Sequence, residues 1–157
     1  HHFAIRRQRQ MCIRDSKDSL KELEKDLSQP REYSIGVKLV RGAYYKEDIS
    51  TGLLYLKKED TDNNYNRGIS LFQELSKEKD VLMCATHNEK SISIAKSINR
   101  EIEFSQLMGM SNTLTKNLAK ENYNVFKYIP YGNFRDTYPY LIRRLYENYP
   151  MIMNLWK

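Results

Sequence analysis

Cysteine is scarce in this chain. Its two cysteines, Cys12 and Cys84, provide neither a disulfide framework nor the four ligands of a zinc quartet, and a reducing, intracellular setting is expected. Histidine is as sparse. His1 and His2 open the chain and His87 stands apart from them, with no second His or Cys at ligand spacing, so no metal site is expected. No apolar run approaches the ~20 residues that a membrane helix needs. The glycines fall in no Gly-x-Gly-x-x-Gly and no Gly-x-x-x-x-Gly-Lys-Ser/Thr, which removes the dinucleotide fingerprint and the P-loop. A Gly-x-Ser-x-Gly elbow is missing too, and no Cys-His-Asn arrangement can be drawn. With 157 residues, the chain is also too short for a complete eight-fold α/β barrel, which runs to roughly 250.

What is present reads as globular: 40% hydrophobic and 29% charged residues. The net charge of +6 and the isoelectric point near 9.2 are in the range of nucleic-acid binders, but the charge is unevenly placed. Residues 1–16 hold Arg6, Arg7, Arg9 and Arg14 against the single acid Asp15. The rest of the chain has no basic stripe, and no nucleic-acid partner is expected. The opening segment lacks an amphipathic period and departs in composition from the Asn-, Lys- and Tyr-rich remainder. Arg-rich and acid-poor, it has the composition of a mitochondrial presequence, yet it abuts the patterned chain with no spacer. Residues 1–15 are therefore expected to be a non-native or disordered leader, with the domain at 16–157.

From Ser16 the pattern is regular. Leu20, Leu23 and Leu27 predict an amphipathic helix over 16–29, closed by Pro30. SIGVKLV at 34–40 reads as a strand ending at Arg41 and Gly42, and 47–60 as a polar loop. Tyr65, Ile69, Phe72 and Leu75 mark one face of a helix over 62–79. VLMCAT at 81–86 is a strand, followed by a helix capped by Asn88. EIEFSQL at 101–107 is a third strand, MGM a turn, and Ser111 the cap of a helix carrying Leu114 and Leu118. NVFKYIP at 124–130 is a fourth strand. A last helix is capped by Asp136, with Pro139 early enough to be tolerated. Four apolar strands alternating with helices predict an α/β fold with parallel strands. That order suits half of a (βα)8 barrel or a small doubly wound sheet. Arg41, His87, Gln106 and Tyr128 fall at or just past strand carboxyl ends, where both architectures build their sites.

Three constellations could carry chemistry. Glu147 follows Arg143 by four residues and Arg144 by three, so either arginine can pair with it. A solvated ion-pair face is the plain reading. The flanking Tyr140, Leu141, Ile142 and Leu145 place the arginines beside packed surface, where paired guanidinium groups can clamp a carboxylate. Thr86, His87 and Asn88 end an apolar strand, which suits a structural histidine or a polar cluster on a cofactor. In KLVRGAYY at 38–45 a strand runs directly into Arg-Gly-Ala, and the glycine permits close backbone approach to a ligand.

Taken together, KLVRGAYY, ATHN, FSQLMGM, YIPYG and YLIRRLYEN, in that order, resemble the carboxyl-terminal half of the proline dehydrogenase family. KLVRGAY is nearer the monofunctional mitochondrial form than the bifunctional bacterial one. The resemblance spans about 35–148. It implies a distorted (βα)8 barrel that binds FAD at the carboxyl ends of its strands, this chain supplying about strands five to eight. On that resemblance Lys38 faces the redox nitrogen of the flavin. Val40, Gly42, Ala43 and Tyr44 line the flavin, Thr86, His87 and Asn88 contact it, and Leu107 closes the site. Tyr128 and Tyr140 pack on the substrate ring, Arg143 and Arg144 pair with the carboxylate of L-proline, and Glu147 braces helix and cofactor. The implied reaction is hydride transfer from proline to FAD, giving 1-pyrroline-5-carboxylate, with electrons passed to a quinone. It implies a mitochondrial location on the matrix side of the inner membrane, with peripheral membrane association.

The family's earlier Lys-Asp pair beside the substrate amine has no counterpart here, nor has the acid that gates the first arginine. The ending YPMIMNLWK also departs from the family's polar continuation. The chain is accordingly expected to be a fragment of an enzyme, inactive by itself, with an open sheet and exposed apolar edges. Two alternatives stay open: hydroxyproline dehydrogenase, and a non-catalytic binding module that retains the carboxylate clamp.

Overall fold

The computed structural model of the chain describes the backbone at 7–9 and residues 18–41, 57–129, 131–135, 137–139 and 141–142. Five strands, β1 (Arg7–Arg9), β2 (Ile35–Val40), β3 (Val81–Ala85), β4 (Glu101–Leu107) and β5 (Asn124–Tyr128), form one sheet in sequential order. The pairs β1–β2, β2–β3 and β3–β4 are parallel. Between the strands run α1 (Ser19–Ser28), α2 (Lys58–Leu75), α3 (Glu89–Lys96) and α4 (Asn112–Lys120). The chain divides into two compact units, His1–Lys127 and Tyr128–Lys157.

The core of the first unit follows from the two periodicities. In β2 the alternation sends Ile35, Val37 and Leu39 to the helix-covered face and leaves Gly36, Lys38 and Val40 half-buried on the other. Helical spacing brings Leu23 and Leu27 of α1, and Tyr65, Ile69 and Phe72 of α2, onto that covered face. Leu82 and Cys84 from β3, Ile92 and Ala95 from α3, and Phe104 from β4 complete it. Burial pushes the Cys84 thiol up to about 12, so it packs as a small apolar group.

Helix ends match the reading at some positions and depart from it at others. The Asn88 side chain accepts from the Ser91 N–H at 2.9 Å, an N-cap as its residue type predicts. Ser111 precedes α4 but makes no side-chain cap bond; its backbone is left-handed, with φ 50°. α2 starts at Lys58, inside the stretch read as a loop, because its polar first turns show no apolar period before Tyr65. α4 ends in a Schellman motif. Tyr123 N donates to Leu118 O and Asn122 N to Ala119 O, with Asn122 left-handed at φ 64°.

The strand at Arg7–Arg9 falls within residues 1–15, the segment expected as a leader. It pairs with β2 from Ile35 to Val37, and a three-residue, wholly polar strand carries no hydrophobic alternation to reveal it. In the second unit helical residues occur at 134–135, 137–139 and 141–142. Thr137 N donates to Asn133 O at 2.9 Å, which starts this helix ahead of Asp136, the cap expected from sequence. Asp136 itself lies outside the described residues. Gly132, which closes the YIPYG motif, has φ +149°, a conformation that side-chain-bearing residues rarely adopt.

Candidate functional site

The polar residues singled out from the sequence gather at the carboxyl ends of β2, β3 and β4. Strand register aligns Lys38 with Met83, and Met83 with Glu103; one step further it aligns Val40 with Ala85, and Ala85 with Ser105. These rows form the sheet face opposite the helices. Lys38 is a cation in the first row and Val40 the apolar step toward the strand end. Thr86 follows β3 directly and is buried; its Oγ1 accepts from Asn88 N at 3.1 Å, which tightens the turn carrying His87.

His87 connects two motifs. Its Nε2 accepts from the backbone N–H of Leu107 at 3.3 Å, so ATHN and FSQLMGM meet in one hydrogen bond across β3 and β4. With Nε2 accepting, a neutral ring carries its proton on Nδ1, and that buried atom has no partner among the described residues. Burial lowers the His87 pKa, and the nearby Lys127 ammonium adds to the shift, so the ring is held neutral.

The turn after β4 is fixed by a residue that the motif reading missed. Lys127 Nζ donates to Met110 O at 2.8 Å, to Gln106 Oε1 at 3.4 Å and to Leu107 O at 3.5 Å. Partial burial lowers its pKa as well. Met110 N closes the turn on Leu107 O at 3.3 Å, and Gly109 supplies the positive φ of 81° at the third turn position. Gln106 is buried, its oxygen taken by Thr115 and Lys127 and its Nε2 unpaired among the described residues. A lysine alternating with aromatics in a strand reads as solvent-facing, so no sequence signal marks Lys127.

Of the predicted site residues, the structure therefore brings Thr86, His87, Asn88 and Leu107 together and places Lys38 and Val40 on the open face of β2. Tyr128 ends β5 and is half exposed. Gly42, Ala43, Tyr44, Tyr140, Arg143, Arg144 and Glu147 lie outside the described residues.

A sequential sheet with parallel pairs from β1 to β4, crossover helices and a polar cluster at its strand carboxyl ends defines the class: an α/β fold consistent with part of a TIM-like (βα)8 barrel. The comparisons give the family. The family described as "Proline dehydrogenase" matches residues 8–152, and the chain belongs to it. It is 33% identical to proline dehydrogenase 1, mitochondrial, of Dictyostelium discoideum, over 88% of this chain and 28% of that protein. It is 36% identical to the hydroxyproline dehydrogenase of Rattus norvegicus, over 84% of this chain and 33% of that one. The crystal structure of proline utilization A (PutA) from Bdellovibrio bacteriovorus, inactivated by N-propargylglycine, superimposes with a TM-score of 0.78. The identity there is 25%, over 90% of this chain and 16% of that one. The chain thus spans a third or less of the length of these relatives.

Proposed function

We propose that this chain supplies the carboxyl-terminal half of an FAD-binding barrel that oxidises L-proline to 1-pyrroline-5-carboxylate. The observation that carries the reading is the bond from Leu107 N to His87 Nε2. It joins two family motifs at neighbouring strand ends and leaves a buried Nδ1–H unpaired among the described residues. FAD presents carbonyl, ring-nitrogen and phosphate acceptors, and an unpaired N–H with a cation on the adjoining sheet face suits them. The described residues fit the group.

FAD, when bound, supplies the two-electron acceptor for a hydride leaving the ring carbon beside the substrate nitrogen. The residues of this chain bind and orient. Lys38 places positive charge on the open face of β2, and Val40, Gly42, Ala43 and Tyr44 are assigned to the flavin from the family resemblance. Thr86, His87 and Asn88 hold the cofactor from the end of β3, and Glu147 braces it from the last helix. Leu107, fixed by His87 on one side and Lys127 on the other, closes the site against water. Tyr128 and Tyr140 pack on the substrate ring while Arg143 and Arg144 clamp its carboxylate, so the reacting carbon is presented in one orientation. A quinone is the final electron acceptor. The matrix side of the mitochondrial inner membrane is the proposed location, supported by relatives named as mitochondrial. The membrane association we propose, from the family resemblance, is peripheral; no helix among the described residues is long and apolar enough to cross a membrane.

The test joins this chain to the amino-terminal portion of the Dictyostelium relative and replaces Arg143 or Arg144 by Met. Each variant is expected to raise the KM for proline ten- to a hundred-fold with flavin content unchanged, the loss of about 1.5–3 kcal/mol of charge-assisted bonding. A solvated Arg–Glu147 pair would leave proline kinetics as they were, and that result removes the carboxylate clamp. The 36% identity to a hydroxyproline dehydrogenase supports a second reading, with hydroxyproline as substrate. Comparing kcat/KM for the two imino acids in the same joined protein decides between them.

A further inference from the structure

Arg41, the arginine of VRGA, follows β2 and leads into the flavin-lining segment at 42–44. Its guanidinium is drawn back onto the helices. Nη2 forms an ion pair with Asp62 of α2, and Nη1 donates to Ser91 Oγ of α3 at 3.3 Å. The pair is not solvated, for the Arg41 side chain is only 12% exposed and that of Asp62 30%. Ser91, itself buried, donates its hydroxyl hydrogen bond to Asn66 Oδ1 at 2.8 Å, so its oxygen is left to accept from Arg41. The backbone N–H of the same serine donates to Asn88 Oδ1 at 2.9 Å, and Asn88 N donates to Thr86 Oγ1 at 3.1 Å. An unbroken set of polar contacts therefore runs from the end of β2, through the first turn of α3, to the turn that holds His87.

We infer that Arg41 is a positioning residue: acting through Ser91, it fixes the Thr86-His87-Asn88 turn relative to the carboxyl end of β2. The physical reason is geometric. β2 and β3 are held in register as far as the pair Val40–Ala85, but the Thr86-His87-Asn88 turn lies beyond that last pair, where the sheet no longer sets its spacing. A planar guanidinium with two fixed donor directions can set that spacing, whereas a lysine supplies charge without the fork. The link to FAD rests on the function proposed above; the link between the two strand ends does not.

Hydrogen–deuterium exchange on the full chain, without flavin, tests the inference directly. Arg41→Met is expected to speed exchange of the Asn88, Ser91 and Ile92 amides about tenfold, as loss of a partly buried charge-assisted bond should. Ser91→Ala should do the same, and the double variant should be no faster than either single one, because both break one path. Arg41→Lys should recover only part of the protection. The Phe72 and Leu118 amides, away from this path, should be unchanged. Unaltered exchange at Asn88 and Ser91 in Arg41→Met would overturn the inference. So would equal acceleration at Phe72 and Leu118, which marks general destabilisation, or strictly additive effects in the double variant. Flavin binding by the joined protein is read separately, so its failure would remove the cofactor reading and leave this result standing.

Discussion

Asp80 gathers more polar contacts than its place in a connecting turn would suggest. It is fully buried, pairs with Arg31, and accepts from Ile35 N at 2.9 Å and Lys77 N at 2.7 Å, while Arg31 Nη1 also donates to Leu27 O at 2.7 Å. These bonds pin the starts of β2 and β3, the end of the sheet away from the site, where a barrel invests in stability. Asp80→Ala leaves the Arg31 charge buried and unpaired, so urea unfolding should show a loss of about 3–5 kcal/mol; a loss below about 1 kcal/mol would mean a solvated pair. His87 gives a pH signature. Its folded pKa is lowered, chiefly by burial, so below about 6.5 the unfolded chain takes up a proton that the folded chain refuses. The His87 contribution is fully present above that pH and is lost as pH falls toward the lowered folded value. The urea midpoint should drop across this window, and His87→Gln should flatten the drop. Legibility at this scale was uneven. The sequence placed His87 and Leu107 at strand ends and left His87 between a structural and a cofactor-binding role; Leu107 took a role only from the family resemblance, and nothing marked Asp80 or Lys127. Long-range polar pairing has no period to read.

Elements were legible where the hydrophobic pattern was dense. β2, β3 and β4 each carry the apolar residues that fill the core, and the matching stripe on α2 runs through Tyr65, Ile69 and Phe72. The pattern failed where the residues carry no apolar period to read, at the polar strand Arg7–Arg9 and over the first turn of α2. Caps divided in the same way. Asn88 bonds Ser91 as its residue type predicts, whereas the left-handed backbone of Ser111 takes its hydroxyl out of that role. The left-handed Asn122 that ends α4 was not read from sequence, though asparagine is the commonest substitute for glycine there. The motif delivers Tyr123 edge-on to Phe104, with ring centroids 5.3 Å apart. Asn122→Ala should therefore cost about 1 kcal/mol and lower the Tm by roughly 2–4 °C, while Asn122→Gly should leave it unchanged. An Ala variant as stable as the parent would show that the left-handed cap is not required.

For the whole molecule, the described strands form an open sequential sheet whose final strand leaves Phe126 and Tyr128 about half exposed. Its relatives extend well beyond the matched region, which covers 28% of the Dictyostelium protein and 33% of the rat one. The fold class could be read from four apolar strands alternating with helices. The choice between half-barrel and doubly wound sheet could not, since both give the same pattern, and it needed the family and structural matches. On the function proposed above, this chain carries part of the FAD contacts and a further portion of the barrel is needed to enclose the cofactor. The most direct measurement is flavin stoichiometry from the visible absorbance spectrum after purification with added FAD. It compares this chain alone with the chain joined to the amino-terminal portion of the Dictyostelium relative. The joined protein should hold close to one FAD per chain, and the chain alone little or none. A joined protein that folds yet emerges colourless, or a lone chain that retains stoichiometric flavin, would contradict the account.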